Sequence, residues 1–273
     1  MSILSITDYV SAAKQTIHMN KALPAIAGGA WGSGWIDVSG GSDPATAGIV
    51  VLTSTASGTV PTNSTAGAPS IVNFSGVGYI SRVEYNFLSQ GAGTCMLVDR
   101  LFECGTFAFA SGLTTLASQP SYSGRIPGGD YTGTMLAVEQ SGAGSGPTSV
   151  TITYTNQSGV TGQSTGVYTL KSNGGQNSGC CVQFVPLAAG DSGIQKVESV
   201  TVTGGSSGNV NVLVLRPLAR FGTNNYFSIN EGKSYVKPLE LCGMRIIYPT
   251  SCLQVLGWAS SSTIDLIIEV VSA

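Results

Sequence analysis

Charge is what this sequence has least of. Asp, Glu, Lys and Arg make up 10% of its residues, against about 25% in an ordinary soluble domain. Its surface is therefore expected to be built from Ser, Thr, Asn, Gln and Gly. Between residues 22 and 81 only Asp37 and Asp43 are charged. The 12 basic residues are scattered singly in a chain of net charge −2. Binding to a phosphate backbone needs clustered Lys and Arg, so nucleic acid is not an expected partner. No run approaches the roughly 18 apolar residues of a membrane span. The opening "MSILSITDYVSAAKQ" has neither the basic n-region nor the apolar core of a secretory signal. The expectation is a soluble protein made without export, with no membrane partner. Six cysteines are present: Cys95, Cys104, Cys180, Cys181, Cys242 and Cys252. None has the short paired spacing of a zinc site. Buried free thiols are expected, with a Cys95–Cys104 or Cys242–Cys252 bridge as the alternative.

What is present in quantity is β sequence. From residue 76 onward short alternating runs follow one another: "YISRVEYNF", "CMLVDRLFEC", "TMLAVEQ", "VTITYT", "CVQFVPL", "VESVTVTG", "VNVLVLRPL", "CLQVLGW" and "STIDLIIEVV". Turn segments such as "PGGD", "NQSGV" and "AAGDSG" separate many of them. That spacing predicts an all-β body, a β-sandwich of jelly-roll-like form over residues 76–273. In "VTITYTNQSG", Val150, Ile152 and Tyr154 fall on one face and Thr151, Thr153 and Thr155 on the other, with Asn156 and Gly159 suited to the turn. Ser5 and Asp8 read as a capping box ahead of Ile6, Val10, Ala13 and Ile17, a stripe of helical spacing. A helix and an extended arm are therefore expected over residues 1–75. The strands "MLVDRLFEC" and "VLVLRPLARF" share a pattern: an apolar run, an Arg, then a Leu.

Candidate chemistry is thin. The lone histidine, His18, is placed at the end of the expected helix, where an imidazolium favours the dipole. "GGSDP" and "GGSSG" lack the strand-to-helix context of a nucleophile elbow. Asp99, Glu103, Asp130 and Glu139 are the carboxylates to weigh as a glycosidase pair, but Asp99 adjoins Arg100 and Glu139 shares its region with Arg125, which reads as structural ion pairing. "PGGDY" and "AAGDSG" each offer one carboxylate where calcium takes six to eight oxygens. No catalytic, cofactor-binding or metal-ligating residue is assigned.

Several blocks in order, "ITDYVSAAKQTI", "YISRVEY", "VDRLFECG", "LASQPSYSGRIPGGDYTG", "ITYTNQSGVTGQSTG", "LAAGDSGIQKVESVTVTG" and "VLVLRPLARF", resemble a family of tailed-bacteriophage virion structural proteins. They span residues 6 to 221. The resemblance implies a non-enzymatic particle component located in the virion and assembled in the bacterial host cytoplasm. A weakly charged helix and arm before a β body fits a capsid cement or decoration protein. Its partners would be the major capsid protein and further copies of itself, as a trimer or dimer. A tail, neck or baseplate part is the alternative, and a glycan-binding or glycan-cleaving module a third. The residues expected to make contacts are Ile6, Val10, Ile17, Trp31, Trp35, Val50, Val51, Leu52, Ile71 and Phe74.

Overall fold

The computed structural model describes residues 6–23, 30–33, 42–43, 54–65, 67–71, 74, 76–87, 93–141, 147–171, 181–205, 207–223, 235–237, 244–259 and 262–272. A short helix, α1 (Ile6–Ser11), opens the chain. Strands follow in the order β1 (Ala13–Leu23), β2 (Trp31–Ser33), β3 (Ser42–Asp43), β4 (Ser54–Thr59), β5 (Gly78–Phe87), β6 (Gly93–Ala108), β7 (Gly112–Thr115), β8 (Met135–Ser141) and β9 (Thr148–Asn156). The rest are β10 (Gln163–Ser164), β11 (Tyr168–Thr169), β12 (Cys181–Phe184), β13 (Ile194–Gly204), β14 (Asn209–Thr223), β15 (Tyr235–Lys237), β16 (Ile246–Ile247), β17 (Leu253–Ala259) and β18 (Ser262–Ser272). The all-β expectation holds.

Six strands, in the order β14-β8-β12-β2-β17-β6, close on themselves because β6 also pairs with β14. The result is an antiparallel barrel, and closure removes its sheet edges. Its interior holds Trp31, Val98, Ala137, Val182, Leu213 and Leu256. Two further sheets pack on its outside, giving sandwich-like layers. One contains β9 and β13 with β7 at one edge, and presents Val150, Ile152, Tyr154, Val197 and Val200 to Phe102, Leu136, Val138 and Val212 of the barrel. The other is built on β5, β18 and β1, and presents Ile80, Val83, Leu266 and Ile268 to Cys95, Leu97, Phe221 and Val255. β6 and β14 are long enough, at 16 and 15 residues, to serve both outer cores. The two strands with matching sequence patterns are thus antiparallel partners along nearly their whole length.

Strand alternation explains the faces. In β9 Val150, Ile152 and Tyr154 are wholly buried, while Ser149, Thr151 and Thr153 lie on the outer side. The hairpin turn follows the expected chemistry: Asn156 Oδ1 accepts the N–H groups of Ser158 and Val160, and Gly159 takes a φ of +81°.

The N-terminal expectation is corrected. The helix ends at Ser11, and β1 runs through Ile17 and His18. The i, i+4 stripe concealed a period of two: Ile17, Met19 and Leu23 point into the core, while Thr16 and His18 are exposed. Eleven residues of β1 register against β18, and that long-range ladder overrides local helical spacing. The segment before residue 75 is also no separate arm among the described residues. β1 lies between β18 and β3, β2 is a stave of the barrel, and β4 pairs with β6. An uncharged, apolar segment of this kind buries itself wherever a sheet position is open.

Cys95, Cys104, Cys181 and Cys252 are buried free thiols. Burial pushes the Cys95 thiol up to about 12. Cys95 and Cys104 lie on one strand, about 30 Å apart at ~3.3 Å per residue, beyond the reach of a disulfide. Cys180 and Cys242 lie outside the described residues.

Candidate functional site

The chemistry of this chain converges on β6, where two adjacent charged residues serve opposite sides of the barrel wall. Alternation along a strand sends neighbours to opposite faces. Asp99 faces outward, and Arg100 faces the interior beside Leu215 of β14. The adjacent pair Asp99–Arg100 suggested by the sequence is therefore replaced by two separate clusters.

On the outer side, Asp99 is completely buried and accepts four hydrogen bonds. Its Oδ1 takes Arg125 Nη1–H at 3.1 Å and the Cys252 backbone N–H at 2.9 Å. Its Oδ2 takes Arg216 Nη2–H at 3.0 Å and the Ser251 hydroxyl at 2.8 Å. Arg125 also donates to the carbonyls of Arg100, Leu101 and Thr250. Arg216 donates to the Ile246 carbonyl and lies 5.8 Å from the centre of the Tyr248 ring. The cluster ties the turn at residues 123–125 and the segment before β17 to the wall.

On the inner side, Arg100 Nη2 lies 2.7 Å from Glu103 and 3.0 Å from Glu139. Glu139 therefore pairs with Arg100 and not with Arg125. Gln254 is 3.5 Å from Arg100 Nη1 and donates to the Ser33 hydroxyl at 2.7 Å. Among the described residues no donor reaches Glu139 Oε1 or Asn211 Oδ1, and those two residues are direct cross-strand partners. Glu103 and Glu139 have the proximity that a carboxylate pair requires, but they are 0% and 4% exposed inside a closed barrel.

The other candidates are dispersed. Asp130 is exposed in a turn, its carboxylate accepting the Thr132 N–H at 2.9 Å. Asp191 of "AAGDSG" accepts from the Tyr154 hydroxyl and the Asn156 amide, both at 2.7 Å, and so fastens a loop to β9. His18, expected at a helix end, stands on β1 with Nε2 2.6 Å from Asp265 Oδ1. Of the residues expected to make contacts, Ile17, Trp31 and Ile71 are buried in the chain's own core. Phe74 packs against that same core. Trp31 sits in the barrel edge-on to Phe184 and Trp258, with ring centres 5.8 and 5.6 Å away. Val10 is 70% exposed. Trp35, Val50, Val51, Leu52 and the side chain of Ile6 lie outside the described residues.

Arg216, Ser251, Gln254 and Asn211 were assigned no site role in the sequence reading. For Arg216, Gln254 and Asn211 the signal was a polar or charged residue inside an otherwise apolar strand, as in "VLVLRPL", where burial forces a partner.

The outer face of the sheet around β9 is a regular surface feature. Cross-strand rows carry Thr115, Ser199, Thr153 and Ser164, then Leu113, Thr201 and Thr151, then Thr203, Ser149 and Thr169. None of these residues is charged, and Leu113 is 66% exposed among the hydroxyls.

No protein-family model and no curated protein matches the chain. The chain has weak structural similarity to a viral capsid protein. Against the crystal structure of the infectious bursal disease virus VP2 subviral particle the TM-score is 0.21 at 10% identity, covering 100% of this chain and 83% of that one. Against the T13 particle of the same virus it is 0.19 at 11% identity, covering 96% and 78%. Superpositions this loose do not make a common fold.

Proposed function

We propose that the chain is a non-enzymatic structural component of a phage virion, specifically a capsid cement or decoration protein that binds and stabilises the lattice of the major capsid protein. The observation that carries this reading is the ordered set of sequence blocks resembling phage virion proteins. In the fold those blocks fall on β1, β5, β6, the β9–β10 hairpin, β13 and β14, so the resemblance extends over the barrel and both flanking sheets. Two physical features support it. Glu103 and Glu139, the two carboxylates that share Arg100, are sealed inside the barrel, away from any substrate. The rows of hydroxyls across β7, β13 and β9 carry no charge, with Lys196 and Glu198 confined to the end of the face near Thr155, which suits contact with a largely neutral neighbour in a repeating assembly.

The deciding measurement is copy number in purified particles, from a stained gel scaled to the major capsid band. Cement predicts a number that scales with the capsid lattice. The copy number of a single ring would overturn the cement assignment in favour of a tail, neck or baseplate part. Absence from purified particles would overturn the virion reading altogether.

A further inference from the structure

Beside the outer ionic cluster lies a surface groove of about 470 Å³, lined by Pro127, Asp130, Thr132, Arg216, Arg245 and Ile246, among others. That size lies within the roughly 300–1,000 Å³ range that holds a small ligand or a few residues of peptide. Arg216, nine-tenths buried, is held in place from behind by Asp99, the Ile246 carbonyl and the Tyr248 ring. Those bonds use one N–H on each terminal nitrogen, and a guanidinium has five. One N–H on each terminal nitrogen is left for a ligand, while Nε, unpartnered among the described residues, is sealed from solvent and takes no part. Arg245 is exposed at the rim and has no ion pair among the described residues. It follows Met244, a non-glycine residue at a φ of +44°, a conformation that costs energy and clusters at functional sites.

The local charge is also unusual for this chain. Three guanidiniums (Arg125, Arg216 and Arg245) stand against two carboxylates (Asp99 and Asp130) on and behind the groove. The groove is therefore electropositive in a protein whose net charge is −2. Pro127, Pro217 and Ile246 give its walls apolar patches between the charges.

We propose that this groove binds a carboxylate carried on an extended acidic peptide segment of a partner protein. Arg245 recruits the carboxylate from solvent, and the immobilised guanidinium of Arg216 receives it. Asp130, tied to the Thr132 N–H, opposes excess negative charge and sets an upper limit on it. Charge complementarity selects the occupant. The apolar walls favour a peptide, with aliphatic side chains beside its acids, over a purely polar polyanion.

The test is fluorescence anisotropy of the isolated protein with a rhodamine-labelled peptide alternating Gly and Glu, against the same peptide with Gln. The Glu peptide is expected to bind about tenfold more tightly, the scale of a charge-assisted bidentate contact. Arg245→Glu removes that preference, and Asp130→Asn strengthens binding about two- to threefold, in line with removing an exposed like charge. Raising salt from about 0.05 M to about 0.5 M weakens binding through screening. Both side chains are exposed, so unchanged melting curves confirm that the variants fold. Equal binding of the two peptides, indifference to Arg245→Glu, or binding of polygalacturonate in place of the Glu peptide would each overturn the proposal. The assay uses isolated protein and the copy-number measurement uses particles, so this inference and the virion reading can fail separately.

Discussion

The inner and outer ionic clusters are one residue apart in sequence and differ in almost every physical respect. Outside the wall, one carboxylate meets two guanidiniums, a hydroxyl and a backbone N–H, and each of its oxygens accepts two hydrogen bonds. Inside, one guanidinium meets two carboxylates, and Glu139 Oε1 and Asn211 Oδ1 are left without donors among the described residues. The three guanidiniums and three carboxylates balance only when the clusters are counted together across the wall. A buried charge is tolerated when its partners are complete and is costly when they are not. The outer carboxylate is fully matched, although the Nε–H groups of Arg125 and Arg216 are not, and through it the outer cluster clamps irregular chain to the barrel. The inner one is an expensive filling, kept in register by the strands around it.

Substitution at the two centres should separate these roles, with the largest effect outside. Asp99→Ala strands Arg125 and Arg216 without their counter-charge in a largely buried site. Breaking a buried pair by removing one partner costs about 3–5 kcal/mol, and the expected result is a large fall in the urea midpoint or failure to fold. Glu139→Gln keeps an acceptor for Arg100, removes one of two crowded negative charges, and supplies an N–H within the cross-strand pair with Asn211. Its expected effect is within about 1 kcal/mol, of either sign. Equal destabilisation by the two variants would show that the clusters do the same work.

How far the sequence announced this architecture depends on whether a feature is local. The face of β9 and its turn were legible because Val150, Ile152 and Tyr154 alternate and Asn156 closes the hairpin within its own neighbourhood. β1 was not, since what makes it a strand is β18, some 250 residues away. The stripe of Ile6, Val10, Ala13 and Ile17 fits a helix until Met19 and Leu23 are seen to share the buried face of Ile17. Ion pairing was legible in kind and wrong in partner. Asp99 and Arg100 are neighbours in the chain, but the pleat separates them, and register across closed staves decides which acid meets which base. Trp31 and Ile71 were expected at a contact surface for a related reason. An uncharged segment reads the same whether it covers a neighbour or fills the chain's own core.

The same contrast between complete and incomplete partners can be sharpened on β9, with an intermediate effect. Tyr154 is fully buried, its hydroxyl donating to Asp191 Oδ2 and accepting the Ala188 N–H, both at 2.7 Å. Tyr154→Phe keeps the ring in the core and deletes only those two bonds. About 1–3 kcal/mol should be lost, because a part-buried donor and a carboxylate oxygen are left unmatched. Protection of the Ala188 amide in hydrogen exchange should fall with it. A variant that loses stability while that amide keeps its protection would show that the ring, not the hydroxyl, anchors the loop.

The smallest effect belongs to the surface counterpart of these clusters, where α1 is attached to its sheet. Glu269 accepts from the Tyr9 hydroxyl at 2.8 Å and from the Ser81 hydroxyl at 2.6 Å, and Lys14 stands 4.4 Å over the Tyr9 ring. Partial burial alone would raise the Glu269 carboxyl. The two hydroxyls, with Arg82 and Lys14 nearby, outweigh it and hold the group below the usual carboxylate range. A carboxyl depressed in the folded state contributes stability above its unfolded value, near ~4.3, and loses it as pH falls through the lower folded value. Acidification through that window should release α1 from the sheet before the barrel unfolds, at a cost below about 1 kcal/mol because solvent screens the site. Chemical shifts of Tyr9 and Ser81 followed from neutral pH downward would report it. Glu269→Gln should make those shifts independent of pH over the same range. If Tyr9 moves with the same midpoint in that variant, another group holds the helix.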